Sequence, residues 1–343
     1  MRELKIAMLG FGNAGRAFAE LLLAKEEEII KTYDCSVKVA AIATGSRGSL
    51  VSEAGVDLRR ALSEMETLQR FDPENPCFSR LNSMEIAERI DYDALLELTP
   101  LDIFTGQPAI DHIKAALGRK RHAITANKGP VAWAFDELKR LAEQQGVRFH
   151  YETTVMDGTP VFNLVEKTLM MCRVTEVKGI LNTTTNFILE ELAKGKEYDD
   201  AIKEGKKRGF VEADPSLDVE GWDAAAKTAA LLNVLMGAGI TPYGIQRKGI
   251  EDITLEQIKD AEARGKAIKL LCRGFLENGK IVGRVAPEEI DKEDLLAAIT
   301  GTSSVVSITT DLMGTVTIVE HDPEIQQTGY GIFSDLIRII ADH

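Results

Sequence analysis

The residues best suited to chemistry lie in one stretch, in which acidic side chains precede a single lysine. This stretch runs from Gly209 to Lys227, and the lysine stands in an alanine-rich segment. Its acidic residues are Glu212, Asp214, Asp218, Glu220 and Asp223. Asp223 and Lys227 are four residues apart, so on a helix they share one face. A surface ion pair would have the same spacing, and these two residues alone do not exclude it.

A second lysine, Lys128, comes shortly after a strand predicted at His122–Thr125. Doubly wound sheets bind ligands at the carboxyl ends of their strands, so this position favours a functional lysine over an ordinary loop residue. A lysine ammonium supplies both a proton and a positive charge to the alkoxide that forms when hydride reaches a carbonyl carbon. The two lysines therefore favour carbonyl reduction. The carboxylates ahead of Lys227 could bind an amino group, which favours an amino-acid aldehyde as substrate.

Three glycines near the start of the chain separate a predicted strand, Leu4–Leu9, from a predicted helix, Arg16–Ala24. They stand as G-x-G-x-x-G, a spacing that permits a tight turn and a close approach of the backbone to a pyrophosphate. The phosphates would then face the free N–H groups at the start of the helix. The predicted cofactor contacts are Gly10, Gly12, Asn13, Ala14, Gly15, Arg47, Thr99 and Lys128.

The end of the second predicted strand, Val37–Ala43, bears on the choice of cofactor. A carboxylate there would bind the ribose 2′-hydroxyl of NAD, but the chain continues as Thr44-Gly-Ser-Arg47. Arg47 is placed to meet a 2′-phosphate, although a solvated loop arginine would look the same. NADP is therefore the expected cofactor, and NAD is the alternative.

Bulk properties exclude several classes of protein. The chain has 343 residues, a formal net charge of -13 and a pI near 5.0, which argues against a nucleic-acid partner. No apolar run reaches the roughly 20 residues needed to cross a bilayer, and no signal peptide precedes the first strand. The four cysteines and five histidines are scattered, so disulfide frameworks and histidine-based metal sites are not expected. A cytoplasmic location fits this pattern.

The order of the predicted elements indicates an α/β fold, with a Rossmann-type doubly wound parallel sheet followed by an α+β catalytic and dimerisation domain. The predicted domains are residues 1–135, which bind nucleotide, residues 136–320, and a C-terminal helix within 321–343 that returns to the first domain. Residues 45–91 are expected to be a helical excursion with a surface loop. Asn278-Gly279 predicts a tight hairpin. The remaining predicted elements include helices at Phe135–Gln145, Asp218–Met236 and Ile332–Ile340.

Six segments together resemble homoserine dehydrogenase, over almost the whole chain. They are Gly10–Gly15, Thr125-Ala-Asn-Lys128, Tyr151-Glu-Thr-Thr-Val155, Gly158-Thr-Pro160, Gly179–Asn182 with Thr184-Thr-Asn186, and Gly209–Lys227. The chain is similar to the short form of the family, without a C-terminal regulatory domain, so feedback by threonine through such a domain is not expected. The resemblance implies reversible reduction of L-aspartate 4-semialdehyde to L-homoserine with NAD(P)H, on the route to threonine and methionine.

The same resemblance implies roles for particular residues. Lys227 corresponds to the proton donor and Lys128 to a lysine that positions substrate. The substrate site is expected to include Glu212, Asp218 and Asp223, with Glu212 meeting the substrate amino group. A sodium-like monovalent cation, held mostly by backbone carbonyls, is expected at Glu152, Val155, Asp157 and Thr159. A homodimer formed through the sheet of the second domain is also implied.

The chain departs from the family pattern at three places, and two other functions stay open. Met156-Asp157 and Thr183 stand where glycines are usual, and Glu320–Thr328 replaces a glycine-rich loop that closes over the cofactor. Aspartate-semialdehyde dehydrogenase would require a nucleophilic cysteine, whereas Cys172 is interpreted as a core residue. A non-catalytic NADP-binding sensor or scaffold is the other alternative. Retention of the lysines and acids together favours the enzyme.

Overall fold

The computed structural model of the protein describes residues 1–208, 211–212 and 214–342. The chain forms two compact units, Met1–Pro160 with Glu324–His343, and Val161–Pro323. The first unit extends beyond residue 135, where the sequence pattern predicts its end. The remainder of a long helix and one further strand of the sheet also belong to it. No helix among the described residues is long and apolar enough to span a membrane.

The first unit alternates strands with helices up to residue 150. In order they are β1 Arg2–Leu9, α1 Asn13–Tyr33, β2 Cys35–Ala43, β3 Ser49–Val51, α2 Leu58–Thr67, β4 Phe78–Ser79, α3 Ser83–Arg89, β5 Ala94–Glu97, α4 Ala109–Gly118, β6 His122–Thr125, α5 Lys128–Gln145 and β7 Phe149–His150. Within the described residues the strand order is β4-β3-β2-β1-β5-β6-β7. β2, β1, β5, β6 and β7 are parallel. The predicted doubly wound parallel sheet is therefore confirmed.

The segment 45–91 differs from its prediction. Besides the helices α2 and α3 it contributes β3 and β4, which pair antiparallel along the edge of the sheet beside β2. These strands have three and two residues, too few to show an alternating pattern in the sequence. β3 and β4 form because they pair with residues distant in the chain, and not because their own residues prefer the β conformation.

The second unit carries its own sheet and helices. In order they are α6 Val161–Thr168, β8 Val174–Ile180, α7 Thr183–Ala193, α8 Tyr198–Arg208, α9 Ser216–Val219, α10 Trp222–Met236, β9 Gln246–Arg247, α11 Leu255–Ala263, β10 Lys266–Glu277, β11 Lys280–Asp291, β12 Ser304–Thr310 and β13 Gly314–Glu320. The strand order is β13-β12-β8-β10-β11-β9 among the described residues. Only the β11–β9 pair is parallel there, so this unit has the α+β character that the sequence predicts.

Two glycines let α10 pack closely on the β10–β11 hairpin. Asn278 and Gly279 turn this hairpin with φ of 51° and 76°, both in the left-handed region that the predicted turn requires. Gly274 and Gly283 lie opposite each other in the two strands. A Cβ at Gly274 would stand 2.0 Å from Cδ2 of Leu232, which belongs to α10. The helix that carries Lys227 is thus seated directly on the sheet.

The last helix, α12, spans Ile325–Ala341 and packs within the first unit. Ile332, Leu336 and Ile339 are fully buried in the same apolar core as α1. The predicted helix at Ile332–Ile340 covers only its C-terminal part, because the first turns are polar and show no apolar stripe. A capping box between Glu324 and Gln327 starts the helix there.

Candidate functional site

Two of the three glycines after β1 are required by contacts within the protein. Gly10 has a φ of 105°, and a Cβ there would lie 2.3 Å from the carbonyl oxygen of Leu98. A Cβ at Gly15 would lie 2.8 Å from the carbonyl oxygen of Gly10. The protein itself therefore requires these two glycines, one for the turn and one for the packing of α1 on β1.

No steric contact with the described residues requires a glycine at position 12. It is exposed at the N-cap of α1, and a Cβ built on it meets no atom within 4 Å. No side chain caps the helix, so its first N–H groups are not satisfied by a capping side chain. Uncapped N–H groups beside a residue without a side chain form a site that fits a pyrophosphate.

A cavity of about 430 Å³ lies over this turn in the first unit. The glycine loop, residues 44–47 after β2, and Leu98 and Pro100 after β5 line it. Arg47 is exposed at its edge, and its backbone N–H donates to Oγ1 of Thr44 at 2.9 Å. No carboxylate lies at the end of β2. The cavity lies where a doubly wound fold binds the pyrophosphate of a dinucleotide, and Arg47 is the cationic side chain that lines it.

The ends of β5 and β6 are tied together beside the cavity. The Asn127 side chain donates to the carbonyl oxygen of Thr99 at 3.1 Å, and its Oδ1 accepts the N–H of Gly129 at 2.9 Å. Asn127 is thereby the N-cap of α5, and Lys128 is the first residue of that helix. Ala134 has a non-helical conformation within α5, so the predicted helix Phe135–Gln145 matches the part after this kink and the part that begins at Lys128 was not predicted. The lysine ammonium is thus carried by the first turn of a helix and not by a loop.

In the second unit, Lys227 is held by two acceptors. Its Nζ donates to the carbonyl oxygen of Leu181 at 2.7 Å and lies 3.3 Å from Oδ2 of Asp223. The Lys227 and Asp223 side chains are 19% and 16% exposed. At this burial the pair is not the solvated surface ion pair that its spacing alone allows.

Asn182 is a site residue that the sequence analysis missed. Its Nδ2 donates to Oδ1 of Asp218 at 2.7 Å and to Oδ2 of Asp223 at 3.0 Å. Its Oδ1 accepts the N–H of Thr185 at 2.9 Å and caps α7. Asn182 thus joins the two acids to the start of a helix. The signal for Asn182 in the sequence was its place in Gly179–Asn182, one of the segments that carry the family resemblance.

The predicted helix Asp218–Met236 is broken in the structure. Gly221 has a φ of 80° and separates α9 from α10, so Asp218 and Asp223 belong to different helices. The break lets both acids reach Asn182. Glu212 is exposed and makes no ion pair or hydrogen bond among the described residues. Its neighbours Gly209, Phe210 and Ala213, which belong to the same predicted stretch, lie outside the described residues.

Comparison with known proteins bears on both units. A family model for homoserine dehydrogenase matches residues 160–337, and one for the NAD binding domain of homoserine dehydrogenase matches residues 10–152. A homoserine dehydrogenase of Methanocaldococcus jannaschii is 36% identical over 97% of this chain and 98% of its own. The chain belongs to the homoserine dehydrogenase family.

Other members of the family agree over the whole length. An NAD(+)-dependent homoserine dehydrogenase of Pseudomonas canavaninivorans is 32% identical over 99% of this chain and 97% of its own. A crystal structure of an Archaeoglobus fulgidus protein assigned to the family has a TM-score of 0.87 and 33% identity, and covers 98% of this chain and 99% of its own. A hyperthermophilic archaeal homoserine dehydrogenase in complex with NADPH has a TM-score of 0.83 and 27% identity, and covers 99% of this chain and 98% of its own. The chain is therefore an NAD(P)-dependent oxidoreductase of this family.

The positions where homoserine dehydrogenases are expected to hold a cation lie in a compact turn. Glu152 and Val155 are buried, and the N–H of Thr159 donates to the carbonyl oxygen of Met156 at 2.8 Å. Asp157 takes a left-handed φ of 43°, and its carboxylate accepts Oγ1 of Thr328 at 2.6 Å. An aspartate tolerates this conformation better than most residues, so it can stand where the resemblance predicts a glycine. No group of three or more His, Cys, Asp or Glu side chains converges among the described residues.

The segment Glu320–Thr328, which is expected from the sequence to replace a glycine-rich loop, is not a continuous loop. β13 ends at Glu320 and α12 begins at Ile325, so only residues 321–324 connect them. Thr328 lies in the helix. The expectation of one replaced loop is wrong in this respect, because the capping box extends the helix toward the strand.

The surroundings of two cysteines bear on the alternative of an aspartate-semialdehyde dehydrogenase, which requires a nucleophilic cysteine. Cys172 is half-buried and follows α6 in a turn, next to the exposed Met170 and Met171, so its interpretation as a core residue on a helix is wrong. Cys272 lies under α10, and burial raises the pKa of its thiol to about 11. A thiolate nucleophile at that position is thereby disfavoured.

Proposed function

We propose that the protein interconverts L-aspartate 4-semialdehyde and L-homoserine, with Lys227 as the proton donor to the developing alkoxide. The observation that carries this proposal is the position of the Lys227 ammonium, held by the Leu181 carbonyl and the Asp223 carboxylate on a helix seated against the sheet. A proton donor must be held in a defined direction to act in a transition state. The two contacts supply this constraint.

A nicotinamide cofactor supplies the hydride to the aldehyde carbon, or accepts it in the reverse direction. The residues of the chain then have three tasks. Lys227 gives its Nζ proton to the new alkoxide and takes it back during homoserine oxidation. Asp223 and Leu181 keep the ammonium oriented through both directions. Nδ2 of Asn182 donates to Oδ2 of Asp223 at 3.0 Å, so the Asp223 carboxylate is held in place as well.

The carboxylates around Asn182 support recognition of an amino-acid substrate. Asp218 and Asp223 both accept from one amide, and an ammonium group of a substrate is a natural further donor to such a pair. Glu212 is exposed and so is accessible to the substrate amino group, the role that the family resemblance gives it. Lys128, at the start of α5, is proposed as the lysine that positions substrate.

NADP is the proposed cofactor, with NAD as the alternative. The absence of a carboxylate at the end of β2 and the edge position of Arg47 support NADP. The relatives support both, because one is named NAD(+)-dependent and another is in complex with NADPH. A sodium-like cation at Glu152, Val155, Asp157 and Thr159 is proposed from the resemblance. A rise in melting temperature with added NaCl over choline chloride would be its signature.

We also propose a homodimer in the cytoplasm. Met170, Met171, Leu312 and Met313 are 73%, 92%, 71% and 63% exposed. Arg173 and Asp311 bond each other, so these two turns with exposed apolar side chains are neighbours. A surface of this kind supports association. Light scattering should give twice the chain mass of 37.6 kDa. The free state of all four cysteines, each within the described residues, supports a reducing compartment.

The test is homoserine oxidation by purified protein, followed by the absorbance of reduced cofactor with NADP and then NAD. Turnover is expected with at least one of them. Lys227→Ala should lower kcat by about 100-fold or more, because a positioned general acid–base contributes roughly that factor. Folded wild-type protein without turnover would favour a non-catalytic sensor. Full turnover by Lys227→Ala would remove the proton-donor role and leave the activity standing.

A further inference from the structure

A buried carboxylate at the end of β5 has no part in the function above. Glu97 is the last residue of that strand and is fully buried. Its Oε1 accepts the N–H of Thr99 at 2.9 Å and also the hydroxyl of Thr99. Its Oε2 lies 2.8 Å from Nδ1 of His112. All three bonds converge on one carboxyl group, and we assign the His112 proton to Nδ1, because a carboxylate only accepts.

His112 is as deeply buried as its partner. It stands on α4 with 1% of its surface exposed, among the apolar residues of that helix. A buried carboxylate is tolerated only when hydrogen bonds satisfy it. The pair therefore makes a rigid link between α4 and the residue two positions beyond β5.

The residue that is held in this way lies within the wall of the cofactor cavity. Thr99 stands between Leu98 and Pro100, and both of these line the cavity over the glycine turn. The carbonyl oxygen of Thr99 in turn accepts from Asn127, which caps the helix that begins at Lys128. A chain of contacts thus runs from His112 through Glu97 and Thr99 to the first turn of α5.

We propose that Glu97 and His112 are a positioning pair, which sets the Leu98–Pro100 wall of the cofactor cavity and, through Asn127, the direction of Lys128. The effect on Lys128 rests on the function proposed above. The effect on the cavity wall concerns cofactor binding and does not depend on which substrate is used.

The pair predicts an uneven response to substitution. Glu97→Ala removes the acceptor of both Thr99 donors, so the Kd for NADP+ should rise about tenfold, equivalent to about 1.4 kcal/mol. His112→Phe leaves a buried carboxylate oxygen without its donor and should also weaken binding. Glu97→Gln should bind within about threefold of wild type, because its Oε1 still accepts from Thr99. In that variant the amide donates to Nδ1 of His112, whose proton moves to Nε2.

The measurements are calorimetric titration with NADP+ and ¹⁵N NMR of the histidine rings. Tyr92→Phe is the matched control, since it removes a buried hydroxyl bonded to Ala87 in the same unit and away from the cavity. It should lower the melting temperature and leave the Kd unchanged. The expected signature is a reversed His112 tautomer in Glu97→Gln with binding retained.

Wild-type Kd values in folded Glu97→Ala and His112→Phe would overturn the proposal. So would an unchanged His112 tautomer in Glu97→Gln. If Glu97→Ala does not fold, His112→Phe and Glu97→Gln still decide it. Since NADP+ is titrated without substrate, a wild-type protein that fails to oxidise homoserine would refute the proposed function and leave this comparison intact.

Discussion

Alanine substitutions at Gly10 and Gly12 should separate stability from cofactor binding. At Gly10 the new Cβ would stand 2.3 Å from the carbonyl oxygen of Leu98, at a φ of 105°. Backbone strain and overpacking each cost roughly 1–3 kcal/mol, so a loss of about 3 kcal/mol is expected. For a unit of this size that lowers the melting temperature by roughly 6–12 °C.

Gly12→Ala should behave in the opposite way. Its Cβ meets no protein atom within 4 Å, and its φ of -79° suits alanine. A poorer N-cap and a smaller unfolded-state entropy nearly cancel, so stability should change by about 0.5 kcal/mol at most. The methyl group would occupy the space that a pyrophosphate needs over the helix start. A clash of about 1.4–3 kcal/mol raises the Kd for NADP+ roughly 10- to 100-fold.

The assay combines thermal melts with calorimetric NADP+ titration on both variants and the wild type. We expect Gly10→Ala to melt at a lower temperature than wild type, and Gly12→Ala to melt like wild type but to bind NADP+ weakly. Wild-type affinity in folded Gly12→Ala would refute this expectation, because the cofactor would then not approach the helix at this residue.

Three further predictions concern other parts of the molecule. Arg47→Ala should raise the Kd for NADP+ about tenfold and leave the Kd for NAD+ unchanged, measured by calorimetric titration with each cofactor. An equal change in the two Kd values would show that Arg47 does not bind the 2′-phosphate. Asn182→Ala should lower kcat/KM for homoserine at least tenfold, since the acids lose their shared donor, while NADP+ binding stays normal. Burial lowers the pKa of Lys269 to about 8, so in the folded protein its charged form is disfavoured relative to its neutral form by about 3 kcal/mol. Because the unfolded chain holds that proton up to about pH 10.5, the free energy of unfolding of wild type relative to Lys269→Met should rise between pH 8 and 10. The exposed Lys280→Met is the control. Parallel pH profiles of stability for wild type and Lys269→Met would contradict the assignment.

Several features of both units were predictable from the sequence, because their signals are local. The glycine spacing after β1, the strand His122–Thr125 and the left-handed pair Asn278-Gly279 each depend on the conformational limits of a few adjacent residues. The family resemblance rests on such short segments and is confirmed by the comparisons. Asp223 and Lys227 also share one helix, as their spacing requires.

The tertiary structure decided what these residues touch. The bonds of Asn182 to Asp218 and Asp223, and of Glu97 to His112, join residues that are 36, 41 and 15 positions apart in the chain. Hydrophobic periodicity does not predict such partners. A buried polar side chain is tolerated because folding brings hydrogen-bond partners to it from other parts of the chain.

The difference is clearest for the lysine of α10. By itself the sequence determined a helix with Asp223 and Lys227 on one face, since helical geometry fixes that spacing. It left open whether the pair is a solvated contact or part of a site. Only folding placed the Leu181 carbonyl and the Asn182 amide beside them, and seated the helix on the sheet, where water is largely excluded and each contact gains strength.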